Sequence, residues 1–465
     1  MRIGHGAATM SVPADTPLGG YIDRPGPSTG VLDALEVAAI TWNDGRRRFT
    51  LAVADVICVN EDLAAQARSS IPEAGQLWLA ATHTHAGPET GCVPGGAPTP
   101  QPWRDLVTEA TRDAVLQAVA AERPASGRAR HGELRDVGAD RSRPSAEPAV
   151  PLDVLAVRDA TGALAGVLVV LPVHPTVLPA ANLLVSADLA GAVRTALRAR
   201  LGPDVWVVVA TGAAGDISTR HTRRGADAPE LARLGSLAAD RCMEILGTDE
   251  ACHRTEPPVA DDGEKTLDGR PDRAEIAWAA RRLRLAREAA TRDPAELVAE
   301  LRAAHAEAVA GNDPVAARMA RSRLDGARVL AGQREVRPAA GWPRPPEDAT
   351  EPTGQAPPGT AAPTGRPPAD DALSVEVGAV RLGGFALAGL PGEPFLGVRD
   401  LIRQTRPEPT LVLGYVNGYP GYLPTADAYA RAEYEVLAAQ VARGAAELVA
   451  RTAGDLLHEL DRKEA

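Results

Sequence analysis

Apolar and polar residues alternate between two periodic patterns along residues 1–250. Short apolar runs with strand character alternate with stretches that repeat at the helical period. The runs predicted as strands are FTLAVADVICV, LWLAA, VLAVRD, ALAGVLVVL and VWVVVAT, and those predicted as helices are WRDLVTEATRDAVLQAVAAE and DLAGAVRTALRARL. Because alternating strands and helices build layers in which helices cover a sheet, the chain is predicted to have an α/β fold with a layered, mixed sheet.

A change of composition divides the chain into four parts. Residues 1–267 form the first part of a catalytic domain, and residues 268–336, rich in Ala, Arg, Glu and Leu, are predicted as a helical insertion. Residues 337–370 contain so much Pro and Gly that we expect a linker or a long loop. Strand patterns resume in the second part of the catalytic domain, residues 371–465, which is predicted to close with an amphipathic helix over 431–460.

Charge and apolar patterning exclude several classes of function. The net charge of -11 argues against a nucleic-acid partner, since affinity for phosphates comes chiefly from cationic side chains. The longest apolar run, 163–173, is too short to span a bilayer, so no transmembrane segment is predicted. The N-terminus has no apolar core of signal-peptide length, which predicts a cytoplasmic enzyme. The four cysteines form no CxxC pair, and nothing indicates an oligomeric state.

Histidines follow two of the predicted strands. LWLAATHTH ends in His83 and His85, which strand alternation would direct to the same side. LPVHP carries His174, whose neighbour Pro175 restricts the backbone. A lone histidine at a strand end is more often a packing residue, whereas two at this spacing favour a site.

Three further segments carry candidate chemistry. A small-residue turn ends in Asp216 and Ser218, and it lacks the lysine of a phosphate-binding loop. A Pro-Gly turn delivers Glu393, although a carboxylate in a turn is more often solvated. NGYPGYLPTADAYARAEYE holds four of the six tyrosines of the chain, which suggests a site, with a tyrosine-lined packing surface as the alternative.

These segments, taken in order, resemble the neutral ceramidase family and its shorter bacterial relatives. The resemblance covers the opening GHGAATMSVPADTPLGGY with Arg24 and Gly30, then ATHTHAGPE, VHP, GDIS, PGE and the tyrosine cluster. It spans both parts of the catalytic domain and implies a fold of the neutral ceramidase type. It also implies a Zn²⁺ cofactor with four protein ligands, His83, His174, Glu393 and Tyr422.

The resemblance further implies catalytic roles for His85, Tyr434 and Arg141. His85 and Tyr434 would stabilise an oxyanion and pass a proton to the leaving amine. Ser218 matches the serine once regarded as a nucleophile in this family. Because no basic residue stands beside it in the sequence, we expect Ser218 to hydrogen-bond to water or substrate instead.

The expected function is zinc-dependent hydrolysis of a C–N amide bond by metal-activated water. We expect the C-terminal immunoglobulin-like domain of true ceramidases to be missing, and the chain has few aromatic residues. The expected partner is therefore a small-molecule amide, such as an N-acyl compound, rather than ceramide. Two alternatives remain: an amide-forming or acyl-transfer enzyme using the same site, and a non-catalytic metal-binding scaffold protein.

Overall fold

A computed structural model describes most of the chain. The described residues are 1–93, 95–143, 145–253, 275–287, 292–332, 372–406 and 409–462. The predicted linker at 337–370 lies outside the described residues. No described helix combines the length and the apolar character that crossing a bilayer would require.

The described chain consists of short strands and helices in mixed order. The strands are β1 Arg2–Met10, β2 Gly30–Val31, β3 Leu35–Asn43, β4 Arg48–Ala54, β5 Gln76–Ala81, β6 Arg123–Arg135, β7 Ala139–Asp140, β8 Ala149–Asp159, β9 Leu164–Leu171, β10 Leu184–Val185, β11 Trp206–Thr211, β12 Ile217–Ser218, β13 Ile276–Leu285, β14 Leu373–Leu382, β15 Phe385–Gly389, β16 Glu393–Pro394, β17 Thr410–Leu413 and β18 Tyr422–Leu423. The helices are α1 Glu61–Ser70, α2 Trp103–Ala120, α3 Asp188–Leu201, α4 Ala228–His253, α5 Pro294–Ala310, α6 Pro314–Gly332, α7 Leu396–Thr405, α8 Tyr434–Ala438 and α9 Ala445–Arg462.

Two large sheets pack face to face and are covered by helices on their outer sides. One sheet has the strand order β11-β9-β8-β6-β1-β3-β4-β5, and the other has the order β13-β14-β15-β17. Apolar side chains from both sheets share one core. The outer face of the larger sheet packs on α1 and α2 at one end and on α3 and α4 at the other, while α7 and α9 cover the smaller sheet. The prediction of a layered α/β fold with mixed sheets is confirmed.

Three pairs of neighbouring strands in these sheets run parallel. They are β4 with β5, β9 with β11, and β15 with β17. Loops at the carboxyl ends of parallel strands are where α/β folds commonly build their sites. The segments that follow β5, β9, β11, β15 and β17 contain nearly all the residues singled out from the sequence.

The start of the predicted helical insertion is a strand, so the expectation of helix there is wrong. Strand β13 pairs antiparallel with β14 over its whole length, from Ile276 opposite Leu382 to Leu285 opposite Leu373. Its Ala and Arg residues have good helix propensity, but pairing with a preformed strand overrides that weak preference. Helices α5 and α6 agree with the rest of the predicted insertion.

The predicted C-terminal helix over 431–460 is interrupted. The chain forms the short helix α8, leaves the helical conformation at Ala439 with ψ 142°, and resumes in α9. Gly444 lies between the two helices with φ +92°, a backbone conformation that glycine adopts without steric cost. The break sets α8 apart from α9 and leaves Tyr434 at the first position of α8.

The Trp78 indole packs on two glycines at the interface between the sheets. Trp78 lies on β5, and Gly378 and Gly389 are cross-strand partners in β14 and β15. A Cβ atom would lie 2.7 Å from the indole at Gly378 and 2.8 Å from it at Gly389. The absence of side chains at these two positions therefore allows the sheets to approach each other around Trp78.

We expect Gly378→Ala to destabilise the protein by about 1–3 kcal/mol, because the added methyl group overpacks the interface between the sheets. Urea unfolding at equilibrium measures the change. Gly384→Ala in the adjacent turn is the matched control, since nothing lies within 4 Å of a Cβ there. Equal midpoints for the two variants would contradict this account of the packing.

Candidate metal centre and active site

Every residue implied by the family resemblance lies among the described residues and is buried or nearly so. The segments after β5, β9, β15 and β17 contribute histidine, glutamate and tyrosine side chains to one region, and β12, α8 and the segment after β7 complete it. The residues brought together are His83, His85, Arg141, His174, Ser218, Glu393, Tyr422 and Tyr434.

His83 and His85 face each other, but strand alternation is not the reason. Strand β5 ends at Ala81, and His83 has a left-handed backbone with φ +63°. Such strain in a non-glycine residue is common at functional sites. The two Nε2 atoms lie 3.3 Å apart. His83 Nδ1 lies 2.6 Å from the Ile57 carbonyl oxygen, which fixes the ring and leaves Nε2 directed into the site.

Three potential ligand atoms converge at the centre of the site. The Nε2 atoms of His83 and His174 are 3.0 Å apart. The Oε2 atom of Glu393 lies 3.4 Å from the first and 3.6 Å from the second. All three residues are 1% exposed, so their side chains are almost completely buried.

Short backbone pairings hold the predicted residues in register. Glu393 pairs with Tyr422 between β16 and β18, and His174 forms an isolated bridge with Ser218. Because the partners in each pair are backbone neighbours, the side chains of one pair cannot move far apart. The ring centroids of His174 and Tyr422 are 6.4 Å apart and the rings are nearly parallel.

Tyr419 fixes one oxygen of the buried carboxylate. Its hydroxyl donates a hydrogen bond of 2.5 Å to Glu393 Oε1, whereas Oε2 has no hydrogen-bond partner among the described residues. Burial alone would raise the pKa of Glu393, but the His83 imidazole and the Tyr419 hydroxyl beside it hold that pKa below its ordinary value. The site therefore presents an ionised, unpaired carboxylate oxygen.

The imidazoles are suited to donating lone pairs. Burial, followed by the neighbouring His83 and Arg141, holds the pKa of His85 well below its ordinary value, and burial and Arg141 do the same for His174. Both rings are therefore neutral at pH 7. Neutral imidazole and carboxylate are standard ligands of divalent metals. His83, His85 and His174 form a group that could hold a metal ion.

Arg141 lies behind His174 and is held by two acceptors. Its guanidinium donates to the Gly215 carbonyl at 2.6 Å and forms an ion pair of 3.1 Å with Glu435. One of its nitrogens is 2.8 Å from His174 Nδ1. A metal at Nε2 needs the His174 tautomer with its proton on Nδ1, which the Ala214 carbonyl, 3.2 Å away, can accept. The closer Arg141 nitrogen can only donate, so its contact fits the other tautomer.

Two cavities meet at this cluster. One, of about 310 Å³, is lined by His174, Ser218 and Arg141, and the other, of about 600 Å³, by His83, Glu393 and Tyr419. His85, Tyr422 and Tyr434 line both cavities. The candidate metal ligands are thus accessible from two sides.

Helix α6 of the insertion forms part of the wall of the smaller cavity. Arg318, Arg321, Ser322 and Asp325 line this cavity. Helix α6 also approaches α8 closely, since a Cβ atom at Gly326 would lie 2.9 Å from the backbone of Tyr434. The insertion therefore covers the site instead of extending away from it.

Sequence patterns did not indicate several residues that shape the site. Tyr415 stacks on His83 with ring centroids 4.4 Å apart, and Tyr21 meets His85 edge to face at 4.9 Å. The local density of tyrosines pointed to the segment that contains Tyr419, but not to its bond with Glu393. No local signal distinguished Arg220 or Arg318 from the many other arginines of the chain.

Solved structures of ceramidases have the same fold as this chain. Neutral ceramidase from Pseudomonas aeruginosa superposes with a TM-score of 0.66 at 17% identity, covering 99% of this chain and 74% of that one. A ceramidase complexed with C2 gives a TM-score of 0.68 at 18% identity, with 99% and 75% covered. No family model matches the sequence, and no curated protein matches it. The expectation of a neutral ceramidase-type fold is confirmed.

The geometry separates two overlapping ligand sets, which metal analysis of variants can distinguish. His83→Ala, His174→Ala and Glu393→Ala should each weaken metal binding by more than the roughly 10- to 100-fold typical of an outer-shell residue. We expect Tyr422→Phe to weaken binding as well and His85→Ala to retain the metal. Retention by Tyr422→Phe together with loss in His85→Ala would favour the three-histidine set. His458→Ala, an exposed position on α9, is the control.

Proposed function

We propose that this chain is a zinc-dependent hydrolase that cleaves the C–N bond of a small-molecule amide. The observation that carries this proposal is the convergence of His83 Nε2, His174 Nε2 and Glu393 Oε2 within 3.0 to 3.6 Å of one another at the wall of two cavities. The Nδ1 atoms of His83 and His174 each lie near a backbone carbonyl oxygen, as is usual for histidines that bind a metal through Nε2.

The proposed ligands are His83, His174, Glu393 and Tyr422. The unpaired, buried oxygen of Glu393 supports this set, because a buried carboxylate oxygen without a partner is costly unless a cation compensates it. Zinc bound there would lower the pKa of a coordinated water towards about 7 and polarise the substrate carbonyl.

His85 is the proposed proton carrier. Its Nε2 atom lies 3.3 Å from that of His83, and its ring borders both cavities. Because burial and neighbouring cations keep this imidazole neutral, it can accept a proton from the attacking water. It would then deliver that proton to the nitrogen of the leaving amine, which would otherwise depart as an unstable anion.

Tyr434 and Arg141 are the proposed electrophilic groups. Burial raises the pKa of the Tyr434 hydroxyl, so it stays protonated and can donate to the oxygen on which negative charge develops. The Arg141 guanidinium lines the smaller cavity and contributes fixed positive charge at the same place. Its ion pair with Glu435 orients it.

Ser218 is proposed to bind water or substrate. Its Oγ atom accepts a hydrogen bond of 3.3 Å from the backbone nitrogen of Arg220. In the described part of the chain no imidazole makes a hydrogen bond to Ser218 Oγ, so nothing there would remove its proton. This arrangement supports a hydrogen-bonding role over a nucleophilic one.

Turnover in ¹⁸O-labelled water tests the proposal. A panel of N-octanoyl amides of small amines is incubated with the metal-loaded protein, and the octanoic acid is examined by mass spectrometry. We expect one labelled oxygen per acid released, because the attacking oxygen comes from water. Glu393→Ala should abolish release, and His85→Ala should lower kcat by at least about 100-fold, as expected for a general acid-base residue.

Other outcomes would favour the alternatives. Transfer of the octanoyl group to an added amine without label in any acid would identify an acyl-transfer enzyme. Bound metal without turnover of any amide in the panel would favour a non-catalytic scaffold protein.

A further inference from the structure

Arginines dominate the outer part of the smaller cavity. Arg220, Arg223 and Arg318 line it together with the candidate catalytic residues. The same three side chains, joined by Arg224, line an adjoining cavity of about 440 Å³. Asp23 and Asp325 also line the smaller cavity, where both pair with Arg321. The other arginines lead from the site to Arg318 on the exposed surface of α6.

Among the described residues, no carboxylate lies within ion-pair distance of Arg220, Arg223 or Arg318. Their neighbour Arg321 differs, because it forms ion pairs with Asp23 and Asp325. Glu435, whose charge is felt by Arg220, forms its ion pair with Arg141 at 3.1 Å. The cluster thus carries uncompensated positive charge beside a buried site.

Neutral acceptors hold two of these guanidinium groups in place. Arg223 donates to the carbonyl oxygens of Thr176 and Val177 at 2.6 and 2.9 Å, and Arg220 donates to Ser322 Oγ at 3.3 Å. Burial and the nearby Arg141 lower the pKa of Arg220, so its charge is held at a cost. Fixed and unpaired guanidinium groups are the usual means of binding carboxylate or phosphate.

The larger cavity has a different character on the other side of the metal ligands. Apolar side chains that do not line the smaller cavity contribute to its wall, namely Val93, Ala97, Pro98, Val329 and Ala438. A substrate whose amide lies at the cluster would extend one arm into apolar surroundings and the other towards the arginines.

We propose that Arg220, Arg223 and Arg318 form an anion-binding subsite, and that the substrate is an N-acyl amide with an anionic group on its amine side. This inference rests on the proposed function. Arg220 of this subsite and Ser218 of the proposed active site are two residues apart and line the same cavity. The anionic group of the substrate would therefore lie within a few bonds of the amide that is cleaved. A carboxylate, a sulfonate and a phosphate share this chemistry.

Binding of ketone isosteres, in which CH₂ replaces the amide N–H, tests the subsite without turnover. Isothermal titration compares the isostere of N-octanoylglycine, which carries a carboxylate, with that of N-octanoylethanolamine, which is neutral. We expect the anionic isostere to bind at least about tenfold more tightly, as one charge-assisted pair would give. Isosteres of N-octanoyltaurine and of N-octanoylphosphoethanolamine identify the preferred anion.

Substitutions test which residues cause the preference for the anionic isostere. Arg220→Gln and Arg318→Gln should each bring the two affinities to within about threefold of each other, and the exposed position of Arg318 makes its variant the safer test of folding. Arg302→Gln, an exposed residue of α5 that lines neither cavity, should keep the full preference. Equal binding of both isosteres to the wild-type protein, or equal losses for both in the variants, would overturn the subsite.

The outcome for the subsite is separate from that for the hydrolase. Tight binding of the anionic isostere without turnover of any amide would overturn the hydrolase and support the subsite. Hydrolysis of charged and neutral amides at equal kcat/KM, with equal binding of the isosteres, would support the hydrolase and overturn the subsite.

Discussion

The buried carboxylate of Glu393 is the constraint on which the site depends. An ionised carboxylate away from water is tolerated only when hydrogen bonds and nearby charge compensate it. Tyr419 satisfies one oxygen, while the other faces the Nε2 atoms of His83 and His174 at 3.4 and 3.6 Å. Together with the nearby imidazoles, this carboxylate forms a group that could hold a cation. The four-layer fold keeps these polar atoms buried, so the packing that stabilises the chain also encloses the candidate metal centre.

The ends of the three parallel strand pairs meet in space. Thr211 at the end of β11 donates to the Thr82 carbonyl after β5, and Gly414 after β17 donates to the Thr211 carbonyl, so the segments that leave these strands converge. Two-residue pairings then lock these segments together, as with Glu393 beside Tyr422. Residues far apart in the sequence are thereby fixed through the backbone, which leaves less side-chain entropy to lose when a ligand binds.

How much could be predicted from the sequence depended on whether the signal was local. Helix α2, strand β9 and the segments carrying His174 and Glu393 follow from periodicity and from turn residues near them. Strand β13 did not, because its pairing with β14 is a long-range effect that reverses the helical preference of its alanines and arginines. The bond from Tyr419 to Glu393 and the arginine cluster likewise arise only when separate segments meet. The family resemblance supplied an expectation for the metal-ligating residues, but it gave none for the residues that line the two cavities.

The candidate metal ligands and one wall of the smaller cavity come from different parts of the chain. The segments that follow the sheet strands contribute all the candidate metal ligands, whereas α6 contributes none of them and instead forms a wall of the smaller cavity. A change on α6 can therefore alter the charge that a substrate meets without moving a ligand atom. Arg220 bridges the two parts, because its backbone contacts Ser218 and its side chain contacts Ser322 on α6. Because Arg220 follows Ser218 and Arg318 lies on α6, the anion-binding subsite proposed above needs both the sheet core and the insertion.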